Sequence, residues 1–456
     1  MAGPSPTPPR MSAPPLVHRA LQELDRAFAG DGAPAPFADL RAKARDTFDG
    51  LGLPSTRDEA WKYTDLRAAL KADYAFAPPA EASEADLDGT AIDGLDAFRV
   101  VLVNGHLDRA LSDLDGLPDG VTVGGLREAA REGGAAVERY FGQVARTEKS
   151  AFAALNASFD LDGLFLHVPR SVAVERPIHV VHVVKADGPA FVQTRHLFVV
   201  EENAQATVVE TYHARGGVEG GAEALPAASS PTATFRNDLT EIVAGPNAVV
   251  RHVRVQDEGG AATGVSLVHV EQDRGSDVST LAFTFSAGTV RNETTMVPGG
   301  EGCQSTLGGL YICTEAQHVD TNTLVDHVAP GCQSNELFKG IVYDEGTGVF
   351  NGKVFVHREG QQTNAYQQSQ GVVLSPRARH YSKPELEIYA DDVKCSHGST
   401  TGAIEPEHVF YLRSRGVSEA DARAMLLYAF AHDVVEMVHS EPLRDHLDAR
   451  IAERLK

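Results

Sequence analysis

Between about Leu164 and Ile388 the chain is a succession of short apolar segments, each closed by Gly, Asn, Asp or Pro. Ile178 to Val184, His196 to Val200, Thr207 to Tyr212, Val249 to Val255 and Leu281 to Phe285 are examples. Segments this short and this numerous read as strands. Helical periodicity is almost missing between them, so an all-β region is expected and βαβ units are excluded. The region also repeats itself. Gly302-Cys303-Gln304-Ser305, followed by Leu307 and Gly309, returns as Gly331-Cys332-Gln333-Ser334, followed by Leu337 and Gly340, 29 residues later. The turns Glu202-Asn203-Ala204 and Pro246-Asn247-Ala248 echo one another, each leading into a Val-rich strand. Irregular repeats of this kind predict a solenoid whose coils stack equivalent side chains in ladders. A jelly roll or sandwich is the competing architecture. In the ladder reading, Cys303 and Cys332 are stacked interior thiols with a structural role.

Helical period flanks this region on both sides. Leu21, Leu24 and Phe28, then Leu40, Ala44 and Phe48, recur near helical spacing, and a short strand is expected from Phe98 to Val103, giving a small separate α/β cap. Near the end, Val409, Phe410 and Leu412 lie in a helix from Pro406 to Arg415, with Gly416 placed as a C-terminal cap. Ser418 and Asp421 form an N-cap arrangement. Ala422, Met425, Leu426, Ala429 and Phe430 then keep an apolar stripe. Such a helical pair can cap the last coil or dock another subunit. The expected division is a disordered tail over 1–16, an N-terminal helical or mixed domain over 17–150, the solenoid core over 151–402, and a C-terminal helical domain over 403–456. Residues 216–231, rich in Gly, Ala and Ser, read as a flexible insertion in the core.

The chain has 456 residues, 41 basic against 63 acidic, for a net charge of −22. So acidic a surface repels phosphate backbones and anionic lipid, which argues against nucleic acid as a partner. No run reaches the roughly 18 apolar residues that span a bilayer. Met1 to Pro15 lacks the charged and apolar blocks of a secretory signal. Four cysteines, all after residue 300, do not make a disulfide scaffold and fit a reducing compartment. A cytoplasmic protein is expected.

The most reactive stretch is Lys383 to Gly398. It sets the alternating strand residues Leu386, Ile388 and Tyr389 before the acidic pair Asp391-Asp392, and then places Cys395 and His397 two apart. In a strand, positions two apart share a face, so a thiol and an imidazole can meet one metal or one partner. Two ligands do not fill a tetrahedral site, and the remainder must come from distant residues or a second chain. The bland alternative is a buried thiol beside an ordinary histidine.

Enzyme motifs are missing. Gly346 to Val354 departs from the phosphate-binding loop at two positions and reads as a hairpin turn. No G-x-S-x-G, H-E-x-x-H or strand-led G-x-G-x-x-G occurs. Asp391-Asp392 is the one candidate pair for cleaving a polysaccharide, and adjacent strand residues point to opposite faces.

Several longer motifs occur together: Glu59-Ala60-Trp61-Lys62-Tyr63-Thr64, Ala154-Leu155-Asn156, Asp162-Gly163 with Val168-Pro169, and Arg176-Pro177-Ile178. Thr363-Asn364-Ala365-Tyr366-Gln367, Leu374-Ser375, Lys383 to Ile388, Asp391 to Gly398 and Phe410 to Gly416 complete the set. With these the chain resembles the SufB/SufD family of the SUF iron–sulfur cluster assembly machinery, on its SufD side. That resemblance covers nearly the whole chain from Arg57. It implies a right-handed parallel β-helix core flanked by N-terminal and C-terminal helical domains. It also implies a non-catalytic scaffold subunit paired with a SufB-like subunit, with a homodimer as the open alternative. A SufC-like ABC ATPase would dock on the C-terminal helices and supply the ATP hydrolysis; Phe410, Leu412, Arg413, Arg415, Met425 and Phe430 are the docking candidates. A transient iron–sulfur cluster or iron would form at the subunit interface, with His397 as the matching histidine and Cys395 beside it. Reduced flavin is associated with such complexes, but no flavin motif is present. The tail and the 216–231 insertion have no clear counterpart in the family.

Overall fold

The computed structural model describes residues 37–455 apart from 68, 72, 146, 160–161 and 214–232. The tail over 1–16, the helical spacing of Leu21, Leu24 and Phe28, and the insertion at 216–231 lie outside the described residues. The strands begin with β1 Ala75–Phe76, β2 Phe98–Val103, β3 His106–Asp113, β4 Thr122–Gly125 and β5 Leu164–Val168. Next come β6 Ile178–Val183, β7 Ala190–Val200, β8 Gln205–His213, β9 Thr234–Ala244 and β10 Val249–Asp257. They continue with β11 Ala262–Gln272, β12 Asp277–Ser286, β13 Thr289–Pro298, β14 Gln304–Cys313 and β15 His318–His327. The last are β16 Gln333–Val342, β17 Thr347–Val356, β18 Asn364–Val373, β19 Arg379–Ile388 and β20 Lys394–Gly402. The α-helices are α1 Ala38–Leu51, α2 Leu126–Glu132, α3 Ala135–Tyr140, α4 Ala151–Ala157, α5 Pro406–Arg413, α6 Glu419–Val435 and α7 Glu441–Arg454.

Odd strands from β5 to β19 pair in parallel in one sheet, and even strands from β6 to β20 pair in parallel in a second. The chain therefore passes from sheet to sheet at every turn, a parallel β-helix of about seven turns. No sandwich topology gives this order. The strands reach about ten residues, longer than the apolar segments of the sequence, because polar residues such as Glu210, His252 and Thr280 continue them inside the lumen.

Three apolar layers hold the coils. Alternate residues of both sheets, among them Phe198, Val208, Val250, Val278, Leu307, Phe338 and Phe350, fill the lumen. The outer face of the odd-strand sheet is covered by the N-terminal region, where Phe48, Trp61 and Phe152 meet Phe235, Leu239 and Leu267. The outer face of the even-strand sheet is covered by α6 and α7, whose Leu427, Val434, Leu447 and Ile451 meet Leu281, Phe283, Leu310 and Ile341. Each fully buried side chain of this size contributes roughly 1.5–3 kcal/mol.

Three expectations need correction. The N-terminal cap is not separate: β2 pairs in parallel with β6, and β4 runs antiparallel to β5, so this region forms the first rungs of both sheets. Gly346 to Val354 is no hairpin turn; β17 pairs in parallel with β15 and β19. A side chain at Gly348 would collide with the Tyr311 ring that crosses the lumen there, which accounts for the glycine. On α6 the buried stripe is Ala422, Leu427, Ala431, Val434 and Val435, while Met425 and Ala429 face outward. That helix is apolar nearly all round, and the sheet selects the other face. Of the two roles left open for the C-terminal helices, capping is not the one they take: they lie along the flank of the coils, and no described residue caps the last one.

The caps expected on α5 and α6 are present. Gly416 takes a left-handed φ of 89°, and the Ser418 hydroxyl accepts from the Asp421 amide. Cys303 and Cys332 stack at matching turn positions and are fully buried.

Candidate functional site at the open end of the solenoid

Among the described residues β19 and β20 are the last strands of their sheets, so each leaves one backbone edge unpaired. Parallel pairing with β18 puts Cys395 beside Ala365, and His397 beside Gln367. The two residues share a face, as their spacing required, but not an environment. Cys395 packs with Val354, Val356, Ala365 and Ala390, and burial pushes its thiol pKa up. His397 is exposed at the mouth of the lumen. Asp391 and Asp392 lie in the turn between β19 and β20 rather than in a strand, which corrects the strand-face argument made for them. Tyr366 and Tyr389 flank the mouth as exposed aromatic side chains.

Beneath His397 a polar column enters the lumen, since register stacks Glu336, Gln367 and His397 in consecutive coils. The Gln367 amide donates to Glu336 Oε1 at 2.9 Å, and the Thr323 hydroxyl donates to Glu336 Oε2 at 2.6 Å. Glu336 is fully buried and pairs with no cation among the described residues. Burial pushes its carboxyl up to about 7 against those two hydrogen bonds. Gln367 Oε1 is buried without a hydrogen-bond partner.

A second cluster, unforeseen from sequence, lies deep inside the early coils. Glu210 takes hydrogen bonds from His182 (3.0 Å), His252 (2.6 Å) and the Tyr212 hydroxyl (2.9 Å). His196 Nε2 stands 3.6 Å from the same carboxylate. Burial acts to raise the Glu210 carboxyl, but the bonds from His182 and His252 outweigh it and hold it well below the usual range. Desolvation pushes the His196 imidazole down to about 3. The ligand atoms of His182, His196 and Glu210 lie within 4.8 Å of one another, which by distance alone fits a metal ion. The chemistry of His196 argues otherwise. The Leu164 amide donates to its Nδ1 at 2.9 Å, so the neutral ring carries its proton on Nε2, the atom facing Glu210. A metal ligand needs that lone pair free. The cluster is better described as a carboxylate held by imidazoles and a phenol. Polar residues at lumen-facing positions of β6, β7, β8 and β10 were its only signal in the sequence.

The N-terminal motif Glu59 to Thr64 clasps the odd-strand sheet from outside. Trp61 lies under the Arg291 guanidinium, with 3.8 Å from the guanidinium carbon to the ring centroid. Thr64 donates to Asp320 at 2.5 Å, Tyr63 stacks on Tyr381, and Glu59 meets Lys383 at 2.8 Å. The motif thus fastens the strand that precedes His397. Between this clasp and the sheet runs a cleft of about 800 Å³ whose lining mixes Arg57, Lys149 and Lys353 with Asp58, Glu293 and Glu385.

Among the docking candidates, Phe410 is 74% exposed and Met425 is 53% exposed, with Arg413 and Arg415 also outward. Leu412 and Phe430 are half-buried, and Phe430 lies under the buried Lys339 ammonium, which pairs with Asp433. No helix among the described residues is long and apolar enough to cross a membrane.

Comparison with known proteins agrees with this architecture. Residues 182–430 match the SUF system FeS cluster assembly SufBD core domain, and residues 20–180 match the SufBD protein N-terminal region. An iron–sulfur cluster assembly SufBD family protein of Synechocystis is 31% identical over 434 residues, covering 94% of each chain. The iron–sulfur cluster assembly protein SufD of Escherichia coli is 28% identical, covering 98% of this chain and 99% of its own. SufD of Bacillus subtilis is 27% identical over 74% of each chain. A β-helix matched along its length, with the family's N-terminal region clasped to its flank, leaves one assignment: the chain belongs to the SufBD family of iron–sulfur cluster assembly proteins.

Proposed function

We propose that this chain is a non-catalytic scaffold subunit, cytoplasmic, that pairs through its open last coil with a SufB-like subunit. His397 supplies a ligand to the iron–sulfur cargo assembled between the two, and Cys395 is the secondary candidate. The observation that carries this reading is the uncapped coil. Among the described residues β19 and β20 offer two unpaired strand edges, and the exposed His397 lies on β20 with an incomplete ligand set. Exposed edges invite another chain, and natural proteins normally cover them. A second copy of this chain is the alternative occupant of the same edges.

The exposed face of Phe410, Tyr411 and Met425, flanked by Arg415, supports docking of a SufC-like ATPase on α5 and α6. ATP-driven movement of that partner would pull on helices packed directly against β12, β14 and β16, and so reach the interface.

The test is reconstitution with a SufB-like subunit, an ABC ATPase, ferrous iron and a sulfide source. His397→Ala should co-elute with its partners yet lose the visible absorbance of the cluster. Normal cluster yield from that variant removes the ligand role, and failure of the parent chain to associate removes the pairing.

A further inference from the structure

At the turns that lead into the even-numbered strands from β8 to β20, one position repeats from coil to coil and is buried in every coil but the last. Backbone hydrogen bonds set the series: the residue after each position donates to the equivalent position one coil earlier. The occupants are Ala204, Ala248, Ser276, Cys303, Cys332, Thr363 and Val393. Small side chains fill the column, and Ser or Thr suffices on either side of the two cysteines. Two of the four cysteines in the chain nevertheless occupy consecutive rungs.

Their geometry is that of a pair. Gly302 and Gly331 adopt the same left-handed turn, with φ of 72° and 71°, so the two turns superpose along the axis. The Cys303 and Cys332 sulfurs approach one carbonyl oxygen, that of Gly300, at 3.1 and 3.2 Å. Neighbouring parallel strands stand about 4.8 Å apart, within the roughly 4.4–6.8 Å Cα separation that a disulfide spans. The side chains are fully buried but shallow, since Glu301 and Pro330 in the same turns are exposed.

We propose that Cys303 and Cys332 form an oxidisable dithiol, which a peroxide converts to a disulfide stapling two consecutive coils. One proton is unevenly shared between the thiols. The hydrogen bond from Cys332 lowers Cys303 to about 7, and the same contact raises Cys332. The Ser276 hydroxyl also donates to the Cys303 sulfur at 3.8 Å, a contact that favours its thiolate, so Cys303 is the attacking thiolate and Cys332 the resolving thiol. The Cys303 thiolate attacks peroxide, the O–O bond breaks, and a sulfenic acid and hydroxide form. Cys332 sulfur then displaces the sulfenic oxygen as water. The proton lost from Cys303 at ionisation ends on the hydroxide. Two sulfurs are oxidised, one peroxide is reduced, and two waters leave.

The experiment exposes the folded full-length chain to hydrogen peroxide, quenches it, alkylates free thiols in denaturant and maps the peptides by mass spectrometry. The expected result is a single 303–332 cross-link, reversed by dithiothreitol, with Cys313 still a thiol. The oxidised chain should also melt at a higher temperature than the reduced one. Cys303→Ser and Cys332→Ser should each lose both the cross-link and the shift, and Cys313→Ser should keep them. Complete alkylation of Cys303 and Cys332 after oxidation overturns the proposal, as does a cross-link formed only after the chain has been unfolded. The wild-type readout decides the matter even where a serine variant fails to fold.

Discussion

At its N-terminal end the solenoid is closed. β3 runs antiparallel to β2, and β4 runs antiparallel to β5, so both sheets finish on a strand of opposite sense. Leu107, Leu114, Leu117 and Val121 pack over the first rungs of the lumen. At the C-terminal end no described residue covers either sheet, and β19 and β20 present bare edges, with an exposed histidine on β20. The interior follows the same division. Near the closed end Glu210 is tied to imidazoles and a phenol, and Arg236 is paired with Asp238 and Glu258. Near the open end Glu336 is held only by Thr323 and Gln367 and meets no cation among the described residues. At one end the buried carboxylates are paired with imidazoles or a guanidinium, and at the other a buried carboxyl has only neutral donors among the described residues. Solenoids need a terminal cap to stay soluble, and the proposed interface lies at the end without one.

The difference should appear first as opposite responses to pH. His196 has its pKa lowered to about 3 from 6.5, so below pH 6.5 the unfolded chain binds the proton that the folded chain refuses. Stability therefore falls as pH drops, by up to about 5 kcal/mol at pH 3 for a fully depressed imidazole. Glu336 works in the other direction. Its folded pKa is about 7 against 4.5, so the folded state keeps a proton that the unfolded state releases. Its cost grows from pH 4.5 to pH 7 and then stays constant, at about 3 kcal/mol. Denaturant midpoints measured across this range should peak between the two limbs. A flat profile on the acid side removes the claim that the closed end holds neutral imidazoles.

Next in size is Glu210→Ala, which strands the donors of His182, His252 and Tyr212 in the lumen. Breaking a buried charged network typically costs about 3–5 kcal/mol. A loss below about 1 kcal/mol, in the range of an ordinary single hydrogen bond, would mean that water or a shift of the coils replaces the carboxylate.

How far the sequence disclosed the two ends follows from the same physics. Strand, coil repeat and thiol ladder were legible because each is local: short apolar segments, turn glycines and an echo of four residues carry them. Cys395 and His397 were legible as a pair on one face because the period of a strand is fixed. Their unlike surroundings were not, since burial of Cys395 depends on Val354 and Val356 from the preceding coil. The Glu210 cluster was invisible because it gathers residues from β6, β7, β8 and β10, whose contact is set only by stacking. The phase of α6 was misread because a helix apolar on two faces does not announce which one the sheet will take. Closure at the start was missed for a related reason: Phe98 to Val103 reads as a lone strand until β6 pairs with it.

The open end yields the two smaller effects, and together they separate stability from function. Glu336→Gln keeps the shape of the side chain and removes the ionisation. It should stabilise by up to about 3 kcal/mol at pH 8 and by little at pH 5. Equal changes at the two pH values would show that Glu336 ionises in the folded chain much as it does in the unfolded one, because water reaches it. His397→Ala should leave the denaturant midpoint unmoved at either pH, because the ring is exposed and makes no hydrogen bond among the described residues. Its whole effect should lie in cluster formation with the partner. A destabilised His397→Ala chain would mean that the imidazole holds the last coil together, and the open end would then lose its claim to spare ligands.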